Sequence, residues 1–504
     1  MFRAAAQLRL RRSVLVVGAC LALFAGMFVA LSFPLPVDAR WIWLIAALAV
    51  FGVRRHGIVA LLLLTLLFFG IGWWRGDTYA QKLVVHRSFH EQKITVVGTA
   101  KEDAVYGKQY QLEFTLSDVT VVSPRSTPLV GDLTIRGYGE AAVYRGDKVM
   151  ATGKLYPTLG NNLGLISFAK LEVLERGNSR VDEFRRRFIA GMQSALPEPV
   201  ASFALGLLVG QRSTLPEDVD EQLRHVGLTH VIAVSGYNLT VIVMACRRLL
   251  AKRSKYQATV SCLLLMGLFL LITGSCPPIV RASIVSLLGI MSWYYGRQIK
   301  PLVLLLVSAA VTVIANPIYL WGNVSWYLSF LAFYGVLILS PLVTRRILKD
   351  KEPGVIAGII IESICANIMV LPYVLYTFGA TSLISLPANV LVVPLIPMAM
   401  VLGLAAGLGG MFAPMVAGWA AWPAKMLLTY MLDVAALLSR VHKSYIENVI
   451  FPWQAMAFAY GTIEFAMFVL WHRLRVCARA TTDHNQTTLS EPHYNDPQKP
   501  PTQP

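Results

Sequence analysis

Long apolar runs separated by short polar connections dominate the pattern of hydrophobic positions in this chain. Three runs open it, at about residues 14–33, 41–53 and 57–74, and nine more follow from residue 229. A helix of about 20 apolar residues is long enough to cross the hydrocarbon core of a bilayer. The pattern predicts a polytopic α-helical membrane protein with about twelve transmembrane or re-entrant helices. The later runs lie at about residues 229–249, 257–274, 278–296, 301–315, 324–343, 355–378, 386–411, 415–439 and 452–472.

Residues 93–176 have a different pattern, in which short segments alternate apolar and polar side chains. Ile94–Gly98 and Asp132–Arg136 are typical, and turn residues such as Arg145-Gly146-Asp147 separate these segments. Alternation with a period of two is the signature of half-buried strands. We expect a small all-β domain of about five or six strands. Its Gly146–Gly153 stretch is similar to the turn and strand of an OB-type barrel, a fold that often binds single strands.

Two shorter helices are predicted between this β domain and the later runs. Residues 181–196 carry Arg185, Arg186 and Arg187 beside apolar side chains, which is typical of an amphipathic helix at the membrane interface. Residues 201–209 are too few to span, so a re-entrant or interfacial segment is expected. The predicted organisation is N-terminal transmembrane helices at 1–76, the OB-like β domain at 92–177, amphipathic and re-entrant helices at 181–226, a transmembrane domain at 227–475 and a disordered tail at 476–504.

Composition and charge indicate where these elements lie relative to the membrane. With 56% hydrophobic and 14% charged residues among 504, the chain is far more apolar than a soluble domain. Its net charge of +17 includes basic connections at Arg54-Arg55, Arg247–Lys255, Arg297–Lys300 and Arg345–Lys351. Because Lys and Arg collect in cytoplasmic loops, we expect these connections and both termini in the cytoplasm and the β domain outside it. The predicted location is the cytoplasmic (inner) membrane, with the first run as an uncleaved helix.

Enzyme signatures do not emerge from the pattern of reactive residues. The six cysteines have no spacing typical of a zinc site or a disulfide framework. We find no phosphate-cradling glycine loop and no paired histidine ligands, and Ser235-Gly236 lacks the flanking glycine of a nucleophile elbow. We therefore expect no catalytic residue, metal or cofactor, and a channel or transporter rather than an enzyme.

Polar residues interrupt the run at 227–243, GLTHVIAVSGYNLTVIV, which is otherwise apolar enough to enter a bilayer. His230, Ser235 and Asn238 lie in it, and the Ser235-Gly236 pair weakens the helix. In lipid, a broken helix is tolerated only where the freed backbone groups face protein or a water-filled cavity. Small and hydroxylated residues also serve close helix packing, so a pathway and a packing motif both fit.

Further polar side chains interrupt the later runs. Arg281 lies near a helix start, where it either faces a cavity or partner or extends towards the headgroups. Glu362 lies well inside its run, and we expect it to hold a helix in place, paired with Arg281. The others, at helix starts, near prolines or close to Glu362, are Asn323, Trp326, Asn389 and Asn367.

The β domain carries residue types that bind single-stranded nucleic acid, namely rings that stack on bases and cations that meet phosphates. It has ten Lys and Arg against nine Asp and Glu between residues 93 and 176, a net charge of only +1. The same residues therefore also fit an ordinary protein surface and core. The candidates are Lys101, Tyr106, Lys108, Tyr110, Arg136, Arg145, Lys148, Lys154 and Tyr156.

Three motifs follow one another in the second half of the chain. They are Leu208–Leu215 (LVGQRSTL), His225–Val243 (HVGLTHVIAVSGYNLTVIV) and Pro277–Ala282 (PPIVRA). They resemble the competence domain of the ComEC family, and residues 316–331 and 371–394 extend the likeness. Members of this family are membrane channels that bring single-stranded DNA across the cytoplasmic membrane during natural transformation. The resemblance also covers the leading helices and the external OB-like domain.

The resemblance implies a DNA channel with single-stranded DNA, the lipid bilayer and other competence machinery as partners. That machinery comprises a DNA receptor, a separate nuclease and a cytoplasmic motor. Two rival functions remain open, a membrane enzyme or lipid-handling protein in which His230, Ser235 and Glu362 converge, and a transporter of another anionic envelope polymer. The expected lining of the DNA path is His230, Ser235, Gly236, Asn238, Arg281, Asn323, Trp326 and Asn389.

Two features depart from the family pattern. Members usually show Ser-Gly-Leu-His where this chain has Ser235-Gly236-Tyr237-Asn238, so a role that needs a titratable imidazole there is not expected. Many members also end in a metallo-β-lactamase-like domain, and no matching histidine and aspartate clusters follow Trp471. Degradation of one strand would then fall to another protein.

Overall fold

The chain forms an N-terminal helix pair, a β barrel and a large helical domain. In the computed structural model, the described residues are 12–32, 45–46, 48, 58–107, 111–158, 164–177, 179–211, 215–232, 239, 242–243, 246–247, 250, 252–273, 277–296, 300–348, 354–441 and 445–489.

The N-terminal pair consists of α1 (Arg12–Ser32) and α2 (Ile58–Arg87). Glycines bring their backbones into direct contact. A Cβ on Gly26 would lie 2.1 Å from a carbonyl oxygen of α2, and one on Gly72 would lie 2.2 Å from a carbonyl oxygen of α1. Small residues at such crossings let transmembrane helices approach closely, so dispersion contacts hold the pair together.

These two helices run parallel. Gly18 of α1 lies against Leu61 near the start of α2, and Gly76 of α2 lies against Ala30 near the end of α1. The chain between two parallel helices must return to the side from which it started, as the predicted second run at 41–53 requires. Most of that run lies outside the described residues.

The β domain closes on itself through five long strands. Strand β1 pairs with β3 and β6, β3 pairs with β5, and β7 joins β5 to β6. All these pairs are antiparallel except the parallel pair of β5 and β7. The seven strands are β1 (Lys93–Ala100), β2 (Val105–Tyr106), β3 (Leu112–Ser123), β4 (Thr127–Pro128), β5 (Leu133–Tyr138), β6 (Lys148–Tyr156) and β7 (Gly164–Glu175).

Alternating side chains fill the barrel, as the period of two predicts. Ile94 and Val96 of β1 are buried with Phe114 of β3 and Ile135 of β5. At the predicted turn, Gly146 adopts a φ of +87°, which favours glycine, and the next residue is the fully buried Asp147. Its carboxylate satisfies three donors, the Tyr144 and Gly177 amides at 2.9 and 2.8 Å and Arg176 Nη1 at 2.7 Å.

The helical domain follows the barrel directly. Its helices are α3 (Arg180–Ala195), α4 (Val200–Val209), α5 (Glu217–His225), α6 (Thr229–Ile232), α7 (Lys255–Thr273), α8 (Pro277–Tyr294), α9 (Pro301–Ala315), α10 (Val324–Tyr334), α11 (Ser340–Leu348), α12 (Val355–Phe378), α13 (Ser385–Val392), α14 (Ile396–Phe412), α15 (Pro414–Ala420), α16 (Trp422–Ser439) and α17 (Trp453–Leu489). Tight 3-10 turns at Pro317–Leu320 and Val393–Leu395, a wider π-helical turn at Gly335–Leu339 and a short ladder of β8 (Thr381–Ser382) with β9 (Tyr445–Ile446) complete it.

Helix α4 lies at the centre of this domain. All ten of its residues are buried, so of the two predicted placements an interfacial one does not fit, and a re-entrant segment stays a prediction. A helix that is apolar on every side is stable only when it is covered on every side. Gly210, with a φ of +78°, ends it.

Helix α3 is amphipathic as predicted, but its apolar face is covered by protein instead of lipid. A Cβ on Gly410 of α14 would lie 1.9 Å from the Gly191 carbonyl oxygen of α3. Phe188 and Met192, on the same side of α3, are buried in the core of the helical domain. On the same face, one turn nearer the start of α3, Arg185 pairs with Asp103 of the barrel, so α3 connects the two domains.

Within the described ranges, six segments are long and apolar enough to cross a membrane, and four shorter apolar helices accompany them. The protein is therefore a membrane protein, while the count of about twelve spans stays a prediction. The six are Arg12–Ala30, Ile58–Arg87, Val324–Leu348, Ala357–Phe378, Ser385–Phe412 and Trp453–Leu474, and the shorter four are Val200–Val209, Lys255–Leu271, Ile279–Tyr294 and Pro301–Ala315.

Two helix boundaries differ from the predicted ones. The run at 415–439 is divided at Ala421 into α15 and α16, because Pro423 begins a new helix there. The tail predicted as disordered from residue 476 continues α17 as far as Leu489. No proline or glycine lies between Arg475 and Leu489, so nothing in that stretch ends the helix.

Candidate functional site

Arg281 is a buried cation that lies over aromatic rings. It lies in the second turn of α8 and is 9% exposed. Its guanidinium lies over the rings of Phe330 and Phe333 of α10, at 5.4 and 5.5 Å from their centroids. Its Nη1 is buried and has no hydrogen-bond partner in the described part of the chain. Aromatic faces stabilise a cation only modestly, so the unused donor leaves this group open to an anion or water.

The described side chains of Arg281 and Glu362 do not form the predicted ion pair, since Arg281 is buried over the rings of α10 and Glu362 is exposed on α12. Helix geometry gives the reason. On α12, Ile361, Cys365 and Met369 pack inwards, and Glu362 is turned about 100° from Ile361, onto the exposed side. Asn367 is half-buried on the same helix.

Asn323 and Trp326 hold the entrance of α10 in place. Asn323 is 1% exposed and caps the helix, since its Oδ1 accepts a 2.8 Å hydrogen bond from the Trp326 amide. The Trp326 indole Nε1 donates to Thr312 Oγ1 of α9 at 3.0 Å. Because the Trp326 and Phe330 rings lie 4.7 Å apart, this network positions the aromatic surface beneath Arg281. The two predicted lining residues therefore use their polar atoms for structure.

Asn389 has a buried amide at a broken helix. It is 6% exposed, and its Oδ1 has no hydrogen-bond partner among the described residues. At the predicted break, α13 ends at Val392 and a turn of tight helix at Val393–Leu395 leads directly into α14. Pro394 and Pro397 cannot donate to the preceding turn, which accounts for the interruption.

The first part of the central motif packs against the start of α13. Gly227 has a φ of +73°, and a Cβ there would lie 2.7 Å from the Ser385 Cβ. His230 is exposed, and its Nδ1 lies 3.0 Å from the Gly227 carbonyl oxygen. The structure thus brings the motif and the Asn389 helix together. The predicted break at Ser235, Gly236 and Asn238 lies outside the described residues.

Two candidate cations of the barrel are engaged by its own acidic groups, and a third is engaged by α3. Lys101 Nζ lies 2.7 Å from Asp132, and Arg136 Nη2 lies 2.9 Å from Glu113, whose hydrogen bond raises the pKa of Arg136. Arg145 lies 3.5 Å from Asp182 and donates to the Leu271 carbonyl of α7 at 3.1 Å, which fastens the barrel to the helical domain. Of the remaining candidates, Lys148 is exposed and Lys154 lies over the ring of Tyr156. The Tyr106 hydroxyl donates to the Ala141 carbonyl oxygen. Lys108 and Tyr110 lie outside the described residues.

The sequence did not identify Arg75 as a candidate, although its side chain joins α2 to the end of α9. Its Nε and Nη2 donate to the Ile314 and Ala315 carbonyl oxygens at 2.9 and 3.1 Å. These carbonyls end α9, where a helix has unpaired acceptors and a partial negative charge. Arg75 directly follows Trp73-Trp74, so it resembled an ordinary residue at the end of a span.

These features define a class of protein, a helical membrane protein that carries a β barrel and a buried arginine among its helices. A family model described as "Competence protein" matches residues 207–473, slightly more than half of the chain, and the chain belongs to this family. The predicted resemblance is therefore confirmed.

Two curated relatives match part of the chain. It is 24% identical to ComE operon protein 3 of Bacillus subtilis (strain 168) over 248 residues, 49% of this chain and 31% of that protein. It is 27% identical to an uncharacterized protein of Aquifex aeolicus (strain VF5) over 158 residues, 31% of this chain and 36% of that protein. The matches thus span about a third of each relative's length. No solved structure matches.

Proposed function

We propose that this protein is a channel for single-stranded DNA in the cytoplasmic membrane and acts in DNA uptake during transformation. The observation that carries the proposal is the Arg281 guanidinium, buried over Phe330 and Phe333 with a free donor. Membership of the competence family supports a role in DNA uptake. Arg281 is a group that could bind the phosphates of the strand. The channel would use no cofactor and catalyse no reaction.

The physical problem is the passage of a polyanion through about 30 Å of hydrocarbon. A path needs donors for phosphate, yet a tightly held phosphate would not leave. Arg281 suits both needs, because no carboxylate of the described chain neutralises it and its aromatic contacts are weak. Asn389, at the break between α13 and α14, offers a buried polar group to the same path. The undescribed Ser235, Gly236 and Asn238 remain predicted members of the lining.

The barrel would receive the strand outside the membrane. Five strands closed into a barrel is the architecture of OB folds, which supports this role. Exposed rings are the part of its surface that suits bases, because Lys101, Arg136 and Arg176 are paired with carboxylates of the barrel itself. Tyr106, Tyr138, Tyr144 and Tyr156 are 62%, 43%, 41% and 41% exposed. Both termini would then lie in the cytoplasm, where a motor would act, while a DNA receptor and a separate nuclease would act outside.

Complementation of a deletion strain tests the proposal. Cells that lack the gene should fail to take up labelled DNA, and Arg281→Ala should restore uptake at less than a tenth of the wild-type level. Arg281→Lys, which keeps the charge, should restore more. Arg125→Ala, in an exposed turn of the barrel, is the matched control and should restore uptake fully. Wild-type uptake with Arg281→Ala would contradict the proposed path.

The same strains separate the rival functions. A transporter of an envelope polymer predicts altered envelope composition and normal DNA uptake in the deletion strain. A membrane enzyme predicts a steep loss of activity in Ser235→Ala, whereas a channel predicts only a partial loss of uptake.

A further inference from the structure

A cavity of about 380 Å³ lies where α2, the barrel and the helical domain meet. We call it the junction pocket. It is within the size range of small-molecule sites. Its lining includes Tyr79, His86, Arg87, His90, Thr158 and Trp321.

The junction pocket lies beyond the hydrocarbon core. Helix α2 has 30 residues and is about 45 Å long, well over the thickness of the core. Its apolar part ends at Trp74, and His86 lies twelve residues, or about 18 Å, further along the helix. Arg75 fixes α2 to the end of α9, and Trp321 follows that end across one tight helical turn. An incoming strand that passes from the barrel to the helices would pass this junction.

Two buried polar side chains of the junction pocket have unused hydrogen-bonding capacity. Tyr79 is 3% exposed and His86 is 1% exposed, and neither Tyr79 Oη nor His86 Nε2 has a partner within the described ranges. His90 Nε2 lies 3.3 Å from His86 Nδ1. When His90 donates to that atom, His86 carries its proton on Nε2 and becomes a second free donor beside the Tyr79 hydroxyl. Leaving such groups buried and unpaired is costly, which indicates a missing ligand.

The charged side chains that line the junction pocket favour binding of an anion. The exposed Arg87 guanidinium and His90 stand beside these two donors, and no lining residue in the described structure carries a carboxylate. Asp132 is close enough to act electrostatically on Tyr79, but its carboxylate is paired with Lys101 Nζ at 2.7 Å. Donors and cations without acidic neighbours are the groups that hold phosphate.

The junction pocket also has an aromatic side chain, Trp321, on which a base could stack. The Trp321 ring stacks on Phe28, with centroids 5.5 Å apart and planes 18° apart, and is still 39% exposed. A ring supported on one face and open to a cavity is a platform for a base.

We propose that the junction pocket binds one nucleotide of a single DNA strand, with its base on Trp321 and its phosphate near Arg87, His90, His86 and Tyr79. This inference rests on the proposed function, since the strand is the one the channel would carry. It adds a specific binding site between the barrel and the helices, separate from Arg281.

Direct binding to the purified full-length protein in neutral phosphatidylcholine nanodiscs tests the site. The probe is a fluorescein-labelled oligothymidylate of about 12 nucleotides, followed by fluorescence anisotropy at several salt concentrations. Trp321→Leu should weaken binding by about 5- to 140-fold, the loss of one base stack. Arg87→Ala should weaken it and lower the slope of log affinity against log salt by about 0.7, one phosphate contact. Arg125→Ala is the control and should leave both quantities unchanged.

The outcomes are distinguishable from those of the uptake test. If Arg87→Ala binds the oligonucleotide with wild-type affinity and salt slope, the site is wrong, whatever Arg281 does to uptake. If Arg87→Ala instead loses binding only to phosphatidylglycerol vesicles, or only to inorganic phosphate, the pocket holds a lipid headgroup or a free anion and the proposal is overturned. If the deletion strain takes up DNA normally while purified protein loses oligonucleotide binding in Arg87→Ala, the site stands and the proposed function fails.

Discussion

The ion pair between Arg185 and Asp103 fastens the barrel to the helical domain, so its loss should release the barrel. Arg185 Nη1 lies 2.6 Å from Asp103 Oδ2, and the Arg145 amide donates to Asp103 Oδ1 at 2.9 Å. The two charged side chains are 7% and 14% exposed. Asp103→Ala would therefore leave a buried guanidinium without its counterion.

The size of the effect follows from this burial. Removing one partner of a buried ion pair costs about 3–5 kcal/mol. The same helix carries a matched control, the pair of Arg187 with Glu183, whose side chains are 69% and 55% exposed. Pairs of that kind contribute about 0.3–0.5 kcal/mol at helical spacing. The two costs differ by about 2.5–4.7 kcal/mol, so the two variants should differ roughly 60- to 2,000-fold in the population of the opened barrel, since about 1.4 kcal/mol is tenfold.

Limited proteolysis in membranes measures this population, because cleavage follows the open fraction when opening and closing are fast. Asp103→Ala should speed cleavage between the barrel and α3 by roughly 100-fold or more, and Glu183→Ala should leave it within a factor of about two. The reversed pair, Asp103→Arg with Arg185→Asp, should recover part of the protection. Equal cleavage rates for Asp103→Ala and Glu183→Ala would refute the reasoning.

Two further substitutions test other contacts. Gly410→Leu should prevent accumulation of folded protein in the membrane, because a Cβ there would meet a carbonyl oxygen at 1.9 Å. Gly409→Leu is the control and should be tolerated, because its Cβ would enter open space. Equal amounts of the two variants on an immunoblot of membranes would contradict this expectation. Trp326→Phe should lower stability by about 1 kcal/mol through the lost hydrogen bond to Thr312 and should lower DNA uptake through the ring beneath Arg281. Trp419→Phe, 88% exposed, is its control in thermal unfolding and uptake, and an equal effect of the two would count against the network.

Local patterns of the sequence predicted the elements of the fold well. Alternation located the long strands of the barrel, and continuous apolar runs located the helices of the membrane domain. Proline chemistry located the break before α14. Each of these signals depends on residues close together in the chain, which is why one sequence was sufficient.

Side-chain partners depend on the rotation and register of elements that are distant in the chain. They could therefore not be predicted from the sequence. Burial of α4 depends on neighbours from several helices, so its length alone suggested an interfacial place. Glu362 faces outwards because of the rotation of α12. Arg136 meets Glu113 because β5 and β3 pair in that register, which uses a cation that the sequence offered for phosphate.

The central claim is that DNA passes beside Arg281, and site-specific photo-crosslinking during uptake tests it most directly. A photoreactive amino acid replaces Phe333, under the Arg281 guanidinium, or Phe458, 77% exposed on α17, in cells that are taking up labelled DNA. The account predicts DNA crosslinks at position 333 and none at position 458. Uptake at the wild-type rate with no crosslink at position 333, or with equal crosslinks at both positions, would contradict it.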